Sequence, residues 1–204
     1  NVKPMNFKHT GVFPEQAANW DFIREKVASV GRPVRVLNLF AYSGGATLAA
    51  AAGGAEVYHV DASKGMVAWA KENAAASGLS DRPIHWIVDD CGKFIQRELR
   101  RGRKYDGIIM DPPSYGRGPS GEIWKMETSF FPFLQQTARL LPDDPLFVII
   151  NSYTTGLAPS AVSYASDVVF GPEHGGKTEA GELGLPVKES GLVLPCGATG
   201  RWMP

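Results

Sequence analysis

The sequence predicts an α/β fold: a doubly wound, mostly parallel seven-stranded sheet closed by an antiparallel C-terminal hairpin. Three observations predict it. Short apolar runs alternate with helical patterns at βαβ spacing from residue 34 to residue 150. Glycines such as Gly53-Gly54 and Gly78 punctuate the ends of the helical runs. Four groups of polar or small residues fall at the C-terminal ends of successive strands, where open α/β sheets bind ligands.

The elements follow in order. Residues 10–16 read as a turn followed by an extended stretch, since Gly11 permits a turn and Pro14 disfavours helix just before it. Trp20, Phe22, Ile23 and Val27 suit one face of a helix over about 15–29, ended by Gly31 and Pro33. Strands are then expected over 34–39, 56–60, 84–88, 106–110 and 146–150. Helices are expected over 46–52, 64–76, 91–101 and 124–141. Beyond Asn151 the pattern weakens. A short helix over 157–165, an apolar piece over 168–170, a loop over 171–176 and a hairpin of 182–187 with 191–195 complete the expectation. The domain organisation expected is a lead-in segment and helix over 1–30, then one ligand-binding domain over 31–204.

Composition narrows the class. The chain has 204 residues and no net charge, so global charge does not announce a nucleic-acid binder. Cys91 and Cys196 are too few for a disulfide framework and have no metal-binding spacing, which suits the cytosol. His9, His59, His85 and His174 are scattered, so no metal site is expected, and His59 and His85 lie within expected strands. No apolar run spans a membrane, and no secretory signal opens the chain. It begins at Asn1 rather than methionine, which suggests the later part of a longer protein.

The turn Phe40-Ala41-Tyr42-Ser43-Gly44-Gly45 joins the first strand to an alanine-rich helix. It lets backbone N–H groups approach a small polar ligand, but it lacks the full dinucleotide glycine pattern. Asp61 ends the second strand roughly 20 residues later, where an acid can accept both hydroxyls of a ribose. Ser63 can cap the next helix, which frees Asp61. Asp89-Asp90 follow the third strand; one can accept from an exocyclic amine and the other can cap a helix. Cys91 reads as a small apolar neighbour of the ligand. Asp111-Pro112-Pro113-Ser114-Tyr115 follows the fourth strand. Two prolines stiffen that loop and remove donors, and an aromatic can stack on a planar base.

These motifs resemble the class I S-adenosylmethionine-dependent methyltransferases, a Rossmann-like family. The resemblance rests on Asn38-Leu39-Phe40-Ala41-Tyr42-Ser43-Gly44-Gly45, Asp61, Asp90 and Asp111-Pro112-Pro113, with His9 to Gln16 as a similar lead-in. It is nearest to enzymes that methylate cytosine C5 or guanine in large-subunit ribosomal RNA. It implies S-adenosyl-L-methionine as cofactor and RNA as partner. It implies that Asn38 and Phe40 to Gly45 line the methionine part, and that Phe13 and Gln16 fold over it. It implies that Asp61, with Ala62 and Ser63, meets the ribose, that Asp90 and Cys91 meet the adenine, that Asp111 also contacts the cofactor, and that Asp111, Pro112, Pro113 and Tyr115 hold the acceptor base.

The cytosine-C5 relatives carry a cysteine nucleophile just after strand five. The matching stretch here, Asn151-Ser152-Tyr153-Thr154-Thr155-Gly156, has none, and Cys196 is remote in sequence. The expected acceptor is therefore a base nitrogen, which needs only an aimed lone pair. Ser114, Arg117 and Lys125 flank the loop as substrate contacts. The basic group Arg97, Arg100, Arg101, Arg103 and Lys104 reads as a solvated helix end. Two rivals share the fold: a methyltransferase of small molecules or proteins, and a binding module without turnover.

Overall fold

The computed structural model describes residues 1–2, 10–117, 121 and 123–204. His9, with Lys8 at the start of the lead-in likeness, lies outside the described residues. The main sheet has seven strands: β1 Arg35–Leu39, β2 Glu56–Asp61, β3 Ile84–Val88, β4 Gly107–Met110, β7 Phe147–Ser152, β8 Lys177–Pro186 and β9 Val193–Met203. A small separate hairpin pairs β5 Tyr115–Arg117 with β6 Ile123–Lys125. The helices are α1 Ala17–Ala28, α2 Gly45–Ala52, α3 Lys64–Ala76, α4 Cys91–Arg100, α5 Met126–Ala138 and α6 Pro159–His174.

The strand order is β3-β2-β1-β4-β7-β9-β8. The first five strands are parallel, and β9 and β8 close the edge antiparallel. Chain order reverses between β1 and β4, where a crevice opens at the strand ends. Leu39 pairs with Met110, so the Phe40 turn and Asp111 leave the sheet side by side.

Alternation along the strands makes two cores. Val36, Val57, Ile109 and Ile149 pack with Ile23 and Val27 of α1 and Ala50 of α2. Leu37, Leu39, Ile108, Met110 and Ile150 pack on the other face with Phe94, Phe133, Leu134 and Phe170. All of these core side chains are buried. Trp20 lies so close to Gly45 that an added Cβ would meet its ring at 2.7 Å. Only glycine allows α1 to pack that tightly on the start of α2.

Four expectations need correction. The helix expected over 124–141 starts at Met126, because Ile123-Trp124-Lys125 pair with β5 as β6. Residues 168–170 and most of 171–176 belong to α6 rather than to a separate apolar piece and a loop. Val162, Ser166 and Phe170 are its buried stripe, at four-residue spacing. The C-terminal hairpin is longer than 182–187 with 191–195, since pairing runs from Lys177 with Met203 to Pro186 with Val193. The lead-in is not extended throughout, because Pro14–Gln16 form one 3-10 turn.

Candidate functional site

The turn after β1 holds two non-glycine residues in the left-handed region, Phe40 at φ 55° and Tyr42 at φ 49°. Gly44 follows at φ 91° as the N-cap of α2. Left-handed backbone costs roughly 1–2 kcal/mol per non-glycine residue, so the surroundings must hold it. They do so through β2, the start of α4, the lead-in and α3. Phe40 N–H donates to Cys91 Sγ at 3.3 Å and Ala41 N–H to Val60 O at 3.1 Å. Tyr42 N–H donates to Asp61 Oδ2 at 2.9 Å. Ser43 Oγ donates to Gly11 O, and Asn73 Nδ2 donates to Ser43 O at 3.0 Å. Asn38 lies beneath and donates to Thr47 Oγ1 at 2.9 Å.

Asp61 also accepts from Ser63 N–H at 2.8 Å, through its other oxygen. Ser63 caps α3 by accepting from Met66 N–H at 3.3 Å. Each Asp61 oxygen thus keeps acceptor capacity beyond its one backbone bond. Burial raises the Asp61 pKa, and the bonds from Ser63 and Tyr42 oppose that. Ala62 is exposed beside it.

Asp90 is the N-cap of α4, accepting from Lys93 N–H at 2.9 Å through Oδ1. Asp89 is taken by Arg97 and by Asp90 N–H. The capping role therefore falls on Asp90 itself, and Oδ2 is the oxygen it has left for a ligand. Cys91 is buried, and burial pushes its thiol pKa upward. That environment suits packing, not nucleophilic attack.

Two clefts meet at Phe40. The narrow one, about 70 Å³, is lined by Phe13, Gln16, Asn38, the 40–46 turn, Asp111 and Asn151. The wide one, about 370 Å³, is lined by Phe40, Asp90, Gln96, Trp124 and Phe133 among others. Phe13 packs between Tyr42 and Tyr153, with ring centroids at 5.7 and 5.4 Å. Gln16 donates to Tyr153 OH at 2.8 Å, and Tyr153 OH donates to Glu15 Oε1 at 3.0 Å. Asn19 ties Gln16 to Asn151. The lead-in is thereby locked over the end of β7. Glu15 belongs to the lead-in, Asn19 and Tyr153 carry no motif of their own, and the 3-10 turn, the start of α1 and the end of β7 bring the three together.

The Asp111 carboxylate has no hydrogen-bond donor among the described residues. Burial, and then the nearby Glu15 carboxylate, push its pKa up to about 7. The following loop is held at three points. Trp124 Nε1 donates to Pro113 O at 2.6 Å, Met126 N–H donates to Ser114 O at 3.0 Å, and Ser114 and Thr154 hydroxyls pair at 2.8 Å. Pro112 is buried. Tyr115 is 52% exposed and pairs in register with Lys125. Arg117 Nε donates to Tyr115 OH at 3.2 Å. The β5–β6 hairpin thus gathers Tyr115, Arg117 and Lys125 on one arm beside the loop.

The basic group on α4 is mostly paired. Arg97 meets Asp89, Arg101 and Arg103 meet the buried Glu98, and Lys104 bonds the carbonyls of Arg139 and Leu141. His59 lies 2.9 Å from Thr47 Oγ1, and burial lowers its pKa to about 4, so it is neutral. His85 Nε2 lies 2.8 Å from Glu56. Among the described residues no three His, Cys, Asp or Glu side chains gather as metal ligands. No helix among them is long and apolar enough to cross a membrane. Cys196 is closer to the site than its sequence position suggests: β9 returns it to a third cleft, shared with Ser152 to Leu157 and Glu182.

A crevice at the switch point, a glycine turn and an acid on each of the next three strands define a Rossmann-like nucleoside-binding enzyme. The chain belongs to the S-adenosylmethionine-dependent methyltransferase family, whose model matches residues 5–159. S-adenosyl-L-methionine is the cofactor of that family. A Shewanella sp. (strain MR-4) protein named ribosomal RNA large subunit methyltransferase K/L is 39% identical over 123 residues, which is 59% of this chain and 16% of that protein. A Neisseria meningitidis protein named ribosomal RNA large subunit methyltransferase K is 32% identical over 143 residues, 69% of this chain and 40% of that one. The chain therefore spans well under half the length of these curated relatives. A solved S-adenosylmethionine-dependent methyltransferase from Agrobacterium tumefaciens aligns with TM-score 0.91 and 40% identity, over 98% of this chain and 65% of that chain.

Proposed function

We propose that the chain transfers a methyl group from S-adenosyl-L-methionine to a nitrogen of a nucleobase in ribosomal RNA. One observation carries the reading. Asp111 presents a carboxylate without a hydrogen-bond donor among the described residues, at the junction of the narrow cleft and a proline-stiffened loop. The names of the relatives support the choice of ribosomal RNA.

The residues present fit the cofactor. Glu15 and Asp111 are two neighbouring acids, and the net positive charge of the cofactor would relieve their repulsion. The wide cleft has aromatic walls for a flat purine. In this reading Asn38 and Phe40 to Gly44 hold the methionine part, under Phe13 and Gln16. Asp61, with Ala62 and Ser63, holds the ribose. Asp90 Oδ2 accepts from the adenine amine, and Cys91 packs nearby. When bound, the cofactor supplies an electrophilic methyl group.

Asp111 then orients the acceptor nitrogen and takes up its proton. The free-state Asp111 pKa of about 7 falls beside the cationic cofactor, so the carboxylate is ionised and able to accept that proton at neutral pH. Pro112 and Pro113 keep the loop rigid, Tyr115 stacks on the base, and Ser114, Arg117 and Lys125 meet the RNA backbone. The reading implies a cytoplasmic location.

Transfer of labelled methyl to ribosomal RNA from cells lacking the protein, followed by nucleoside mass spectrometry, tests it. An N-methylated nucleoside is the expected product. Label in protein alone, or no label in RNA, overturns the substrate class. A 5-methylcytidine product, with a 5-fluorocytosine RNA adduct lost in Cys196→Ser, overturns the nitrogen acceptor.

A further inference from the structure

Trp124 belongs to both halves of the site. Its ring lines the wide cleft with Phe40 and Asp90. Ring centroids lie 5.5 Å from Phe40 and 5.2 Å from Phe133, the latter edge-on. Its indole N–H points the other way chemically, donating to Pro113 O at 2.6 Å. Pro113 sits in the middle of the loop that follows Asp111, and proline has no N–H with which to anchor itself. Of the three bonds that hold the loop, those from Met126 and Thr154 come from groups outside the lining of the wide cleft. Only the Trp124 bond comes from a side chain that also faces that cleft.

The hairpin makes this arrangement possible. Gly116 pairs with Trp124 in register, and a Cβ built on Gly116 would touch Pro113 at 3.4 Å. The chain thus folds back tightly enough to bring the indole over the proline carbonyl. Aromatic packing fixes the plane of the indole, and the plane fixes the direction of its N–H.

We propose that Trp124 is a positioning residue that couples occupancy of the wide cleft by the cofactor's adenine to the placement of the acceptor loop. An adenine against the indole face restricts the ring and so holds Pro113. Linkage makes the effect reciprocal: a correctly placed loop also favours the bound cofactor. The inference rests on the assignment of the wide cleft to adenine.

Trp124→Phe separates the two roles, since it keeps an aromatic face and removes the N–H. Calorimetry with S-adenosylhomocysteine should give an affinity within about threefold of wild type. Methyl transfer to unmodified ribosomal RNA should fall at least tenfold in kcat, with KM for S-adenosylmethionine little changed. Trp124→Ala should lose both, with cofactor affinity down about tenfold. A Trp124→Phe enzyme with the wild-type rate overturns the coupling. So does one that loses cofactor affinity as fully as Trp124→Ala, since that is a merely structural role. The wild-type chain gives an independent check without acceptor or variant. Hydrogen exchange at the Trp124 indole, followed by NMR, should slow about tenfold when S-adenosylhomocysteine is added, and unchanged exchange in the saturated protein overturns the proposal. Failure of the wild type to bind S-adenosylhomocysteine at all marks failure of the underlying assignment instead.

Discussion

The two clefts beside Phe40 solve different problems with different chemistry. The narrow cleft is walled by backbone in left-handed conformation, by amides, and by the acid Asp111. The wide cleft is walled by the rings of Phe40, Trp124 and Phe133, with Asp90 at its rim. On the proposed assignment the first discriminates by charge and tight fit. The second discriminates by shape, as an aromatic slot does for any flat ring. Phe40 faces both, and its strained φ of 55° is what lets one residue divide them.

The largest expected effect breaks the narrow side alone. Asp111→Ala should lower methyl transfer about a hundredfold or more, because a misaimed acceptor loses the advantage of orientation. Its affinity for S-adenosylhomocysteine should fall by no more than about tenfold. An equal loss in binding and in rate would mean that Asp111 serves the cofactor and not the acceptor.

A smaller effect is the pH dependence of binding. With a free-state pKa of about 7, Asp111 is mostly protonated at pH 6. A cationic ligand favours the ionised carboxylate, so binding releases a proton. Affinity should rise up to about tenfold from pH 6 to pH 8 and level off above. Asp111→Asn should flatten that rise, and a slope that survives in the variant would assign it to another group.

The smallest effect is on stability. The folded state holds the Asp111 proton to higher pH than the unfolded chain does. Stability from this group is thus full below pH about 4 and is lost as pH rises through about 7. Asp111→Asn should therefore raise the melting temperature at pH 8, by roughly 2–8 °C for a gain on the order of 1–2 kcal/mol. At pH 4 it should change little. A variant less stable than wild type at pH 8 would show that the charge is compensated.

The sequence is legible where local pattern and ligand chemistry coincide. Strands β1 to β4 are short runs rich in apolar residues, and the acids Asp61, Asp90 and Asp111 stand at or just past the ends of β2, β3 and β4. The lead-in and the C-terminal third are not legible in this way. Glu15 reaches the site through a single 3-10 turn and one bond to Tyr153, 138 residues away. Trp124 looks like the first residue of a helix, because its strand is three residues long and its pairing is visible only once the loop folds back. The stretch Lys177 to Gly181 carries charge and glycine, so its pairing with β9 is set by its neighbour and not by its own pattern. Cys196 returns to the loop after β7 for the same reason. Asp89 and Asp90 look equivalent in sequence, and the structure separates them: Asp89 meets Arg97, while Asp90 caps α4 and lines the wide cleft.

The central claim is that the joined clefts hold one molecule of S-adenosylmethionine with its ribose on Asp61. Calorimetric titration of S-adenosylhomocysteine into wild type and Asp61→Ala tests it most directly. Asp61→Ala removes a charge-assisted acceptor, so one-to-one binding by the wild type and at least tenfold weaker binding by the variant is the predicted result. Equal affinities would contradict it.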